Sequence, residues 1–353
     1  RVESKIIDEL VTDSVESIKE AVVAAINERK DTHRSESSEF YLSLLDSLDL
    51  SKPMTIAEYN EAIAKHQATP VELPTVSEGD KPAATSVGYE WFEALTDMKN
   101  PTSSVGTVYY GESDKFAEDA IVTSIVPDPK NPMYRVRNGE VGLVEGFRMG
   151  QILNHVYEDK DKVIKRPIVI VIDVPSQAYG YNEELIGIHV ALANSAAAYA
   201  KLRQAGHPVI GLIAGNAISG AFLAHGLQSS RLIALNSKEI TVQAMSKASA
   251  ARVTKRTIAE IEAAADKVPA IAYDINNYTK LGAIHCFLED ITDQKASEKN
   301  VNEVIKAINA AISDVREKND TMLTARYTNE TAKKMGRVET NKVRAKMAEE
   351  WDA

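Results

Sequence analysis

The sequence predicts an α/β protein built around a mostly parallel sheet, and three features carry that expectation. Arg166-Pro-Ile-Val-Ile-Val-Ile-Asp173 is a continuous apolar run, as a strand covered on both faces requires. Pro208 to Ile213 is a second apolar, β-branched run. Between them Glu183 opens a helical pattern that continues through Ala205, so strand, helix and strand make one crossover unit. Two parallel strands joined in this way place their following turns, Val174–Tyr181 and Ala214–Ala221, at the same carboxyl edge of the sheet. Binding crevices form at such edges.

The remaining elements follow in chain order. Residues 1–50 read as helical. Val15, Ile18, Ala21, Val22 and Ile26 recur at helical spacing, and Ser37 precedes a second helix that runs through Leu48. So short a segment cannot bury its own apolar face and is expected to dock on a larger body. Residues 51–86 hold Pro53, Pro70, Pro74, Pro82 and Ser77-Glu-Gly-Asp80, the composition of a linker or a loosely packed surface segment. Residues 87–290 form the main domain, with strands expected near Val105–Val108 and Ala120–Val126 and a helix over Leu143–His155. Residues 291–353 read as carboxyl-terminal helices. Val301, Val304, Ile305, Ile308, Ile312 and Val315 mark one apolar stripe, and a charged tail follows Asn319.

Composition narrows the function classes. The chain has 353 residues and a formal net charge of −10, without Lys/Arg runs beside aromatics, which disfavours nucleic acid and anionic membranes as partners. The single cysteine, Cys286, cannot form an internal disulfide, and its apolar neighbours Ile284 and Phe287 predict a buried thiol in a reducing, cytoplasmic setting. No apolar segment approaches the roughly 20 residues of a membrane helix. The amino end has no apolar signal region, and a chain opening on Arg1 reads as processed or cut from something longer. No His/Cys/Asp/Glu grouping has metal-ligand spacing, and no Walker A motif, dinucleotide fingerprint or Met-Lys-Met biotin site is present.

The candidate site is the stretch Gly211 to Gly226, where an apolar strand gives way to Gly, Ala and Ser and then to a helix. Small residues let another molecule approach backbone N–H groups, which can hold a thioester oxygen as it gains negative charge. The alternative is an ordinary tight packing turn. Ser219, Gly220, Ala221, Ser176 and Gln177 are the expected donors, and Tyr179, Gly180, Gly215 and Asn216 the expected substrate contacts. Without a Gly-x-Ser-x-Gly elbow, a nucleophilic serine is disfavoured. His189 reads as packing; His225, one turn past Ser219, reads as structural, with proton handling as the alternative. Tyr179, Tyr181, Tyr273 and Tyr278 either pack or line an acyl crevice. Lys247, Arg252, Lys255 and Arg256 form either a solvated helix face or a docking patch for phosphate-bearing groups or an acidic carrier protein.

Several segments carry a family resemblance: Asp173-Val-Pro-Ser-Gln-Ala-Tyr-Gly180, Glu184-Leu-Ile-Gly-Ile-His189, Gly206-His-Pro-Val209 and Ser219-Gly-Ala-Phe-Leu-Ala-His-Gly226. Trp91-Phe-Glu-Ala-Leu95, Val126-Pro-Asp-Pro-Lys-Asn131, Gly139-Glu-Val-Gly-Leu143, Ala250-Ala-Arg-Val-Thr254 and Val268-Pro-Ala-Ile-Ala-Tyr-Asp-Ile275 agree with them. Together they resemble the crotonase-type (ClpP/crotonase) carboxyltransferase fold and, within it, the gamma subunit of biotin-independent malonate decarboxylase, over roughly residues 86–290. Residues 1–50, with Arg34-Ser-Glu-Ser-Ser-Glu-Phe-Tyr41, resemble the carboxyl-terminal helices of the beta subunit; an unrelated helical extension is the alternative.

The resemblance implies decarboxylation of malonyl-S-acyl carrier protein to the acetyl thioester and CO2. It implies a thioester carried on a dephospho-coenzyme A-derived prosthetic group, with no cofactor on this chain. The implied partners are the beta subunit, the acyl carrier protein and the transferase subunits in a hetero-oligomer, with half of the active site on each crotonase fold. Two other readings remain: a carboxyltransferase subunit of a biotin-dependent acyl-CoA carboxylase, and a structural subunit with a vestigial site.

Overall fold

The computed structural model describes residues 10–28, 37–73, 85–96, 101–104, 107–158, 165–265 and 267–351. The chain begins with helices α1 (Val15–Glu28), α2 (Ser38–Asp46), α3 (Ile56–Lys65) and α4 (Val87–Thr96). Strands β1 (Pro101–Ser104), β2 (Val108–Ser113) and β3 (Ala120–Ile125), helix α5 (Leu143–Glu158) and strand β4 (Ile168–Val174) follow. Next come α6 (Tyr181–Ile186), α7 (Ile188–Gln204), β5 (Val209–Ile218), α8 (Ser219–Ala224), β6 (Arg231–Leu235) and β7 (Val242–Gln243). The rest comprises α9 (Lys247–Thr254), α10 (Ile258–Ala265), α11 (Ile275–Lys280), β8 (Cys286–Leu288), α12 (Glu298–Lys318), α13 (Ala325–Thr328) and α14 (Val338–Trp351).

One sheet, in the order β1-β2-β3-β4-β5-β6-β8 with β7 beside the end of β5, organises the molecule. β1, β2 and β3 pair antiparallel, and every pairing from β3 onward is parallel. Ile168–Ile172 of β4 are fully buried, as the unbroken apolar run requires. Successive side chains of β4 point to opposite faces. Ile172 meets Gly226 and Phe222 neighbours on the α7–α8 side, and Asp173 meets Gly88 at the start of α4 on the other. Helices α5 and α7 pack together over one face, and α4 and α12 pack over the other. The apolar stripe of α12 is buried at Val304, Ile308, Ile312 and Val315.

The crossover helix is broken. Gly187 has φ 115°, a left-handed conformation that glycine adopts without strain, and it ends α6 and starts α7. The larger departure concerns β5, which does not stop at Ile213. It continues through Ala214-Gly-Asn-Ala-Ile218, pairing Ala217 with Val174 of β4 and with Val242 of β7. Small residues read locally as a turn, but pairing on both sides overrides that preference.

The amino-terminal segment divides in two. In α2, Tyr41 stacks on Phe147 of α5 with ring centroids 4.4 Å apart, and Ser38 donates to Asn194 of α7 at 2.9 Å. In α1 the apolar positions stay exposed, among them Val15 at 77% and Ile26 at 67%. Residues expected as a loose linker form α3, which a Thr55–Glu58 capping box starts. Buried Tyr59 donates to the Ile186 carbonyl at 3.3 Å. Arg34, Pro74, Ser77–Asp80, Pro82 and Val105 lie outside the described residues.

Replacing Val15 and Ile26 by Ser is expected to leave the stability of the full chain nearly unchanged, because both side chains are exposed. Tyr41→Ala should cost about 3 kcal/mol, since it empties a packed site between α2 and α5. Denaturant titration of both variants checks this.

Candidate active site

The geometry of the site begins with a bulge. Ile172 pairs with Ile213 and Val174 with Ala217, so Ala214, Gly215 and Asn216 together oppose the single residue Asp173. The Asp173 carboxylate fills that irregularity. Its Oδ1 accepts the Asn216 N–H at 3.1 Å, and its Oδ2 accepts the Gly88 N–H at 3.1 Å. A Cβ on Gly215 would lie 2.1 Å from Asp173 Oδ1, which explains the glycine. Burial raises the Asp173 pKa, and the two backbone N–H bonds oppose that rise. Asp173 closed the quoted motif without being picked as a site residue. Its signal was that of the first polar residue at the carboxyl end of an apolar parallel strand.

Beyond the bulge, β5 ends in a sharp turn. Ser219 begins α8 with φ 67°, left-handed for a residue that is not glycine, whereas Gly220 has no positive φ. The backbone strain at this turn is carried by Ser219. Such conformations cost on the order of 1 kcal/mol and persist where the surroundings fix them. The small residues Ala217 and Ala221 lie on either side of the turn, and both are buried.

The second turn meets the first directly. Gln177 lies over Gly220, because a Cβ built there would come within 1.9 Å of Gln177 Oε1. Val141 fixes the Gln177 backbone on one side: its N–H donates to the Ser176 carbonyl at 3.0 Å, and its carbonyl accepts from Ala178 at 2.8 Å. The Ser176 hydroxyl donates to the Gln177 carbonyl at 2.9 Å. Thus Ser176, Gln177, Ser219 and Gly220 come together, half-buried, at the carboxyl edge. Gly215 and Asn216 sit just below, engaged with Asp173.

A charged group borders the turn. The Arg135 guanidinium stacks 3.7 Å from the exposed Tyr179 ring centroid and lies 3.3 Å from Glu140 Oε1. Gly180 caps α6, and Glu183 crowds it so closely that a Cβ would meet Glu183 Oε2 at 2.2 Å. Burial raises the pKa values of Glu140, Glu183 and Glu145. Glu145 is sealed in the core, accepting from the Thr107 hydroxyl at 2.6 Å and the Gly142 N–H at 3.0 Å. Arg135 was not picked as a neighbour of Tyr179 because its approach depends on tertiary packing, whereas Glu183 meets Gly180 locally, within the first turn of α6.

His225 is fully enclosed, with Nδ1 2.9 Å from the Tyr199 hydroxyl. Burial pushes its pKa down to about 4, so it is neutral near pH 7 and closed to solvent. That environment overturns the proton-handling alternative. His189 is exposed on α7. Tyr181 is exposed; Tyr273 is largely buried, and Tyr278 lies against Phe222. Lys247 pairs with Glu262 at 2.8 Å, and Arg252, Lys255 and Arg256 are exposed on and just after α9, which buries no residue. Among the described residues, no group of three or more His, Cys, Asp or Glu could hold a metal ion. Nor is any helix among them long and apolar enough to cross a membrane.

The sheet, its crossover and this edge define a crotonase-like α/β protein of the carboxyltransferase type. Residues 136–351 match the malonate decarboxylase gamma subunit family, and the chain belongs to that family. It is 32% identical over 222 residues to a malonyl-S-ACP:biotin-protein carboxyltransferase of Malonomonas rubra, an alignment covering 61% of this chain and 74% of the relative. A chain of a Pseudomonas malonate decarboxylase hetero-tetramer in complex with coenzyme A superposes with a TM-score of 0.70 and 38% identity, covering 76% of this chain and 100% of its own. A chain of the Pseudomonas MdcD-MdcE hetero-dimer gives 0.67 and 38%, covering 75% and 99%.

Neutral, buried His225 stabilises the fold fully above its ordinary pKa near 6.5. That contribution is lost as pH falls through its folded-state pKa of about 4. His225→Gln should therefore flatten the loss of stability between about pH 7 and pH 4 by on the order of 3 kcal/mol. Denaturant midpoints across that range check the slope. At the turn, Ser219→Gly should hold stability within about 1 kcal/mol, whereas Ser219→Val, β-branched at positive φ, should lower it by more.

Proposed function

We propose that this chain supplies half of an active site that decarboxylates malonyl-S-acyl carrier protein. The bond between the malonyl Cα and its free carboxylate breaks, CO2 leaves, and the electron pair moves into an enolate whose oxygen is the former thioester carbonyl. A proton added at Cα then gives the acetyl thioester. The barrier falls when fixed donors meet the carbonyl oxygen as it gains charge, and one such donor is typically worth about 3 kcal/mol.

The observation that carries this reading is the contact of the two turns, with Gln177 lying over Gly220 beside the strained Ser219. Backbone N–H groups at Ser219, Gly220 and Ala221 are the proposed donors, joined by the Gln177 side-chain amide when it is turned to present its NH2 in place of Oε1. The Ser176 hydroxyl, which donates to the Gln177 carbonyl, holds that turn in place. Tyr179 and Gly180 border the entry, and Gly215 and Asn216 position the turn through Asp173. The reading needs no cofactor on this chain. The thioester belongs to the dephospho-coenzyme A-derived prosthetic group of the carrier protein.

The partner proposed to complete the site is a malonate decarboxylase beta subunit, and the similar Pseudomonas chains belong to a hetero-dimer and a hetero-tetramer. Exposed Tyr179, Tyr181 and Leu223 flank the edge that would face it. The carrier and transferase subunits complete the assembly, and the basic residues around α9 are a docking surface for the acidic carrier. A second reading has specific support: the Malonomonas rubra relative is a biotin-protein carboxyltransferase. Both reactions cleave the same bond and form the same enolate, and they differ in what receives the carboxyl group.

In the assembled complex, Gly220→Val should reduce turnover of malonyl-carrier by at least about 100-fold, because the new side chain displaces Gln177 and fills the cradle. Ser219→Ala should cost about 1 kcal/mol, as the loss of a neutral hydrogen bond does. Loss of activity in Ser219→Ala with a tolerated Gly220→Val would assign the chemistry to the hydroxyl. CO2 release by the purified complex without any biotin protein would separate decarboxylation from carboxyl transfer. Strict dependence on a biotin protein would select the second reading.

A further inference from the structure

The amino edge of the sheet, opposite the candidate active site, holds a second cavity of about 230 Å³. β6 begins there at Arg231, and β8 begins just after His285. The far wall is the carboxyl-terminal segment Ala325–Thr331. The volume is below the range of pockets that take drug-sized ligands, so it suits a small occupant.

Its lining holds three cations, Arg231, Lys318 and Arg326, and two carboxylates, Asp314 and Glu330. Arg231 is almost completely buried and shares Asp314 with Lys318, lying 2.7 Å from one Asp314 oxygen while Lys318 lies 2.5 Å from the other. A further Arg231 contact reaches Asp320 at 3.3 Å. The second acidic residue in the lining, Glu330, is largely exposed and pairs with Lys333 at 3.6 Å and Lys334 at 3.0 Å. That leaves Arg326 without a carboxylate among the described residues. It donates to the carbonyls of Leu227 and Ser229, and its Nε is sealed from solvent with no hydrogen-bond partner.

Other guanidinium groups crowd the same region. Burial, aided by Arg203, Arg231 and Arg337, lowers the Arg326 pKa to about 10. Arg203 is buried nearby, its own Nε also unpartnered. An unpaired cation removed from water is unfavourable unless an anion joins it. Guanidinium and ammonium groups together favour an oxyanion.

We propose that this cavity is an oxyanion site for one small anion of the phosphate class, held by Arg326 with Arg231 and Lys318. Because Ala325–Thr331 forms one wall, an occupied site clamps the carboxyl-terminal segment onto the amino edge. That segment is already held by Asn329, which donates to the Gly282 carbonyl at 2.7 Å, and by Arg337, which donates to the Leu281 carbonyl at 2.9 Å.

The test is a titration of the full chain with inorganic phosphate at constant ionic strength, balanced with sodium chloride, reading the melting temperature. A saturable rise of several degrees is expected, since a ligand that binds only the folded state stabilises it by mass action. Excluded salts also raise melting temperatures, but without saturation. Arg326→Gln should weaken the half-saturating phosphate concentration at least about tenfold. Lys318→Ala, which alters a largely exposed side chain and should fold normally, should weaken it several-fold. Hydrogen exchange in residues 325–331 should slow on phosphate addition. A rise that does not saturate, an equal rise with chloride alone, or an unchanged half-saturation in Lys318→Ala would overturn the proposal.

Discussion

Everything at the carboxyl edge depends on one carboxylate filling one bulge. Asp173 stands opposite three residues of β5 and holds the N–H groups of Asn216 and Gly88. The half-buried carboxylate thereby joins β4, β5 and the start of α4. Without it the extra length of β5 would leave backbone donors unsatisfied, and such groups cost about as much as a lost hydrogen bond. With it, β5 is carried on to pair again at Ala217, and the chain turns at Ser219 in a fixed direction. The position of Gly220 under Gln177 follows from that register.

This arrangement suits chemistry that the chain supports through its backbone more than through acidic or basic side chains. On the proposed reading, decarboxylation and carboxyl transfer pass through the same enolate, so one rigid cradle would serve either, and whatever faces the cradle would decide the fate of the carboxyl group. The proposed donors sit on a strand end and its following turn, and preorganised donors of this kind need no rearrangement as charge develops. The buried pair of His225 and Tyr199 supports the helix behind the turn without exposing a titratable group to the crevice.

Much of this was legible in the residues themselves. The apolar run Ile168–Ile172, the stripe of α12 and the small residues around Ser219 announced a parallel sheet, a covering helix and a close-approach turn. What escaped was set mostly by non-local pairing. Gly215 and Asn216 read as a turn because Gly and Asn disfavour strands in isolation, yet β4 and β7 hold that segment extended. The prolines around α3 hid a capping box that Thr55 and Glu58 could have revealed. The positive φ of Ser219 arises where β5 ends and α8 begins, which no local propensity encodes. Arg135 meets Tyr179 across more than forty positions of chain, so only the fold brings them together.

We propose that the two turns together polarise a thioester carbonyl. The most direct measurement is the infrared stretch of a 13C=O-labelled acetyl-pantetheine thioester bound to the assembled complex, a probe that does not turn over. The account predicts a shift to lower frequency on binding, largely lost in Gln177→Ala combined with Gly220→Ala while the complex remains assembled. A carbonyl frequency equal to that in water, or a shift untouched by those substitutions, would contradict it.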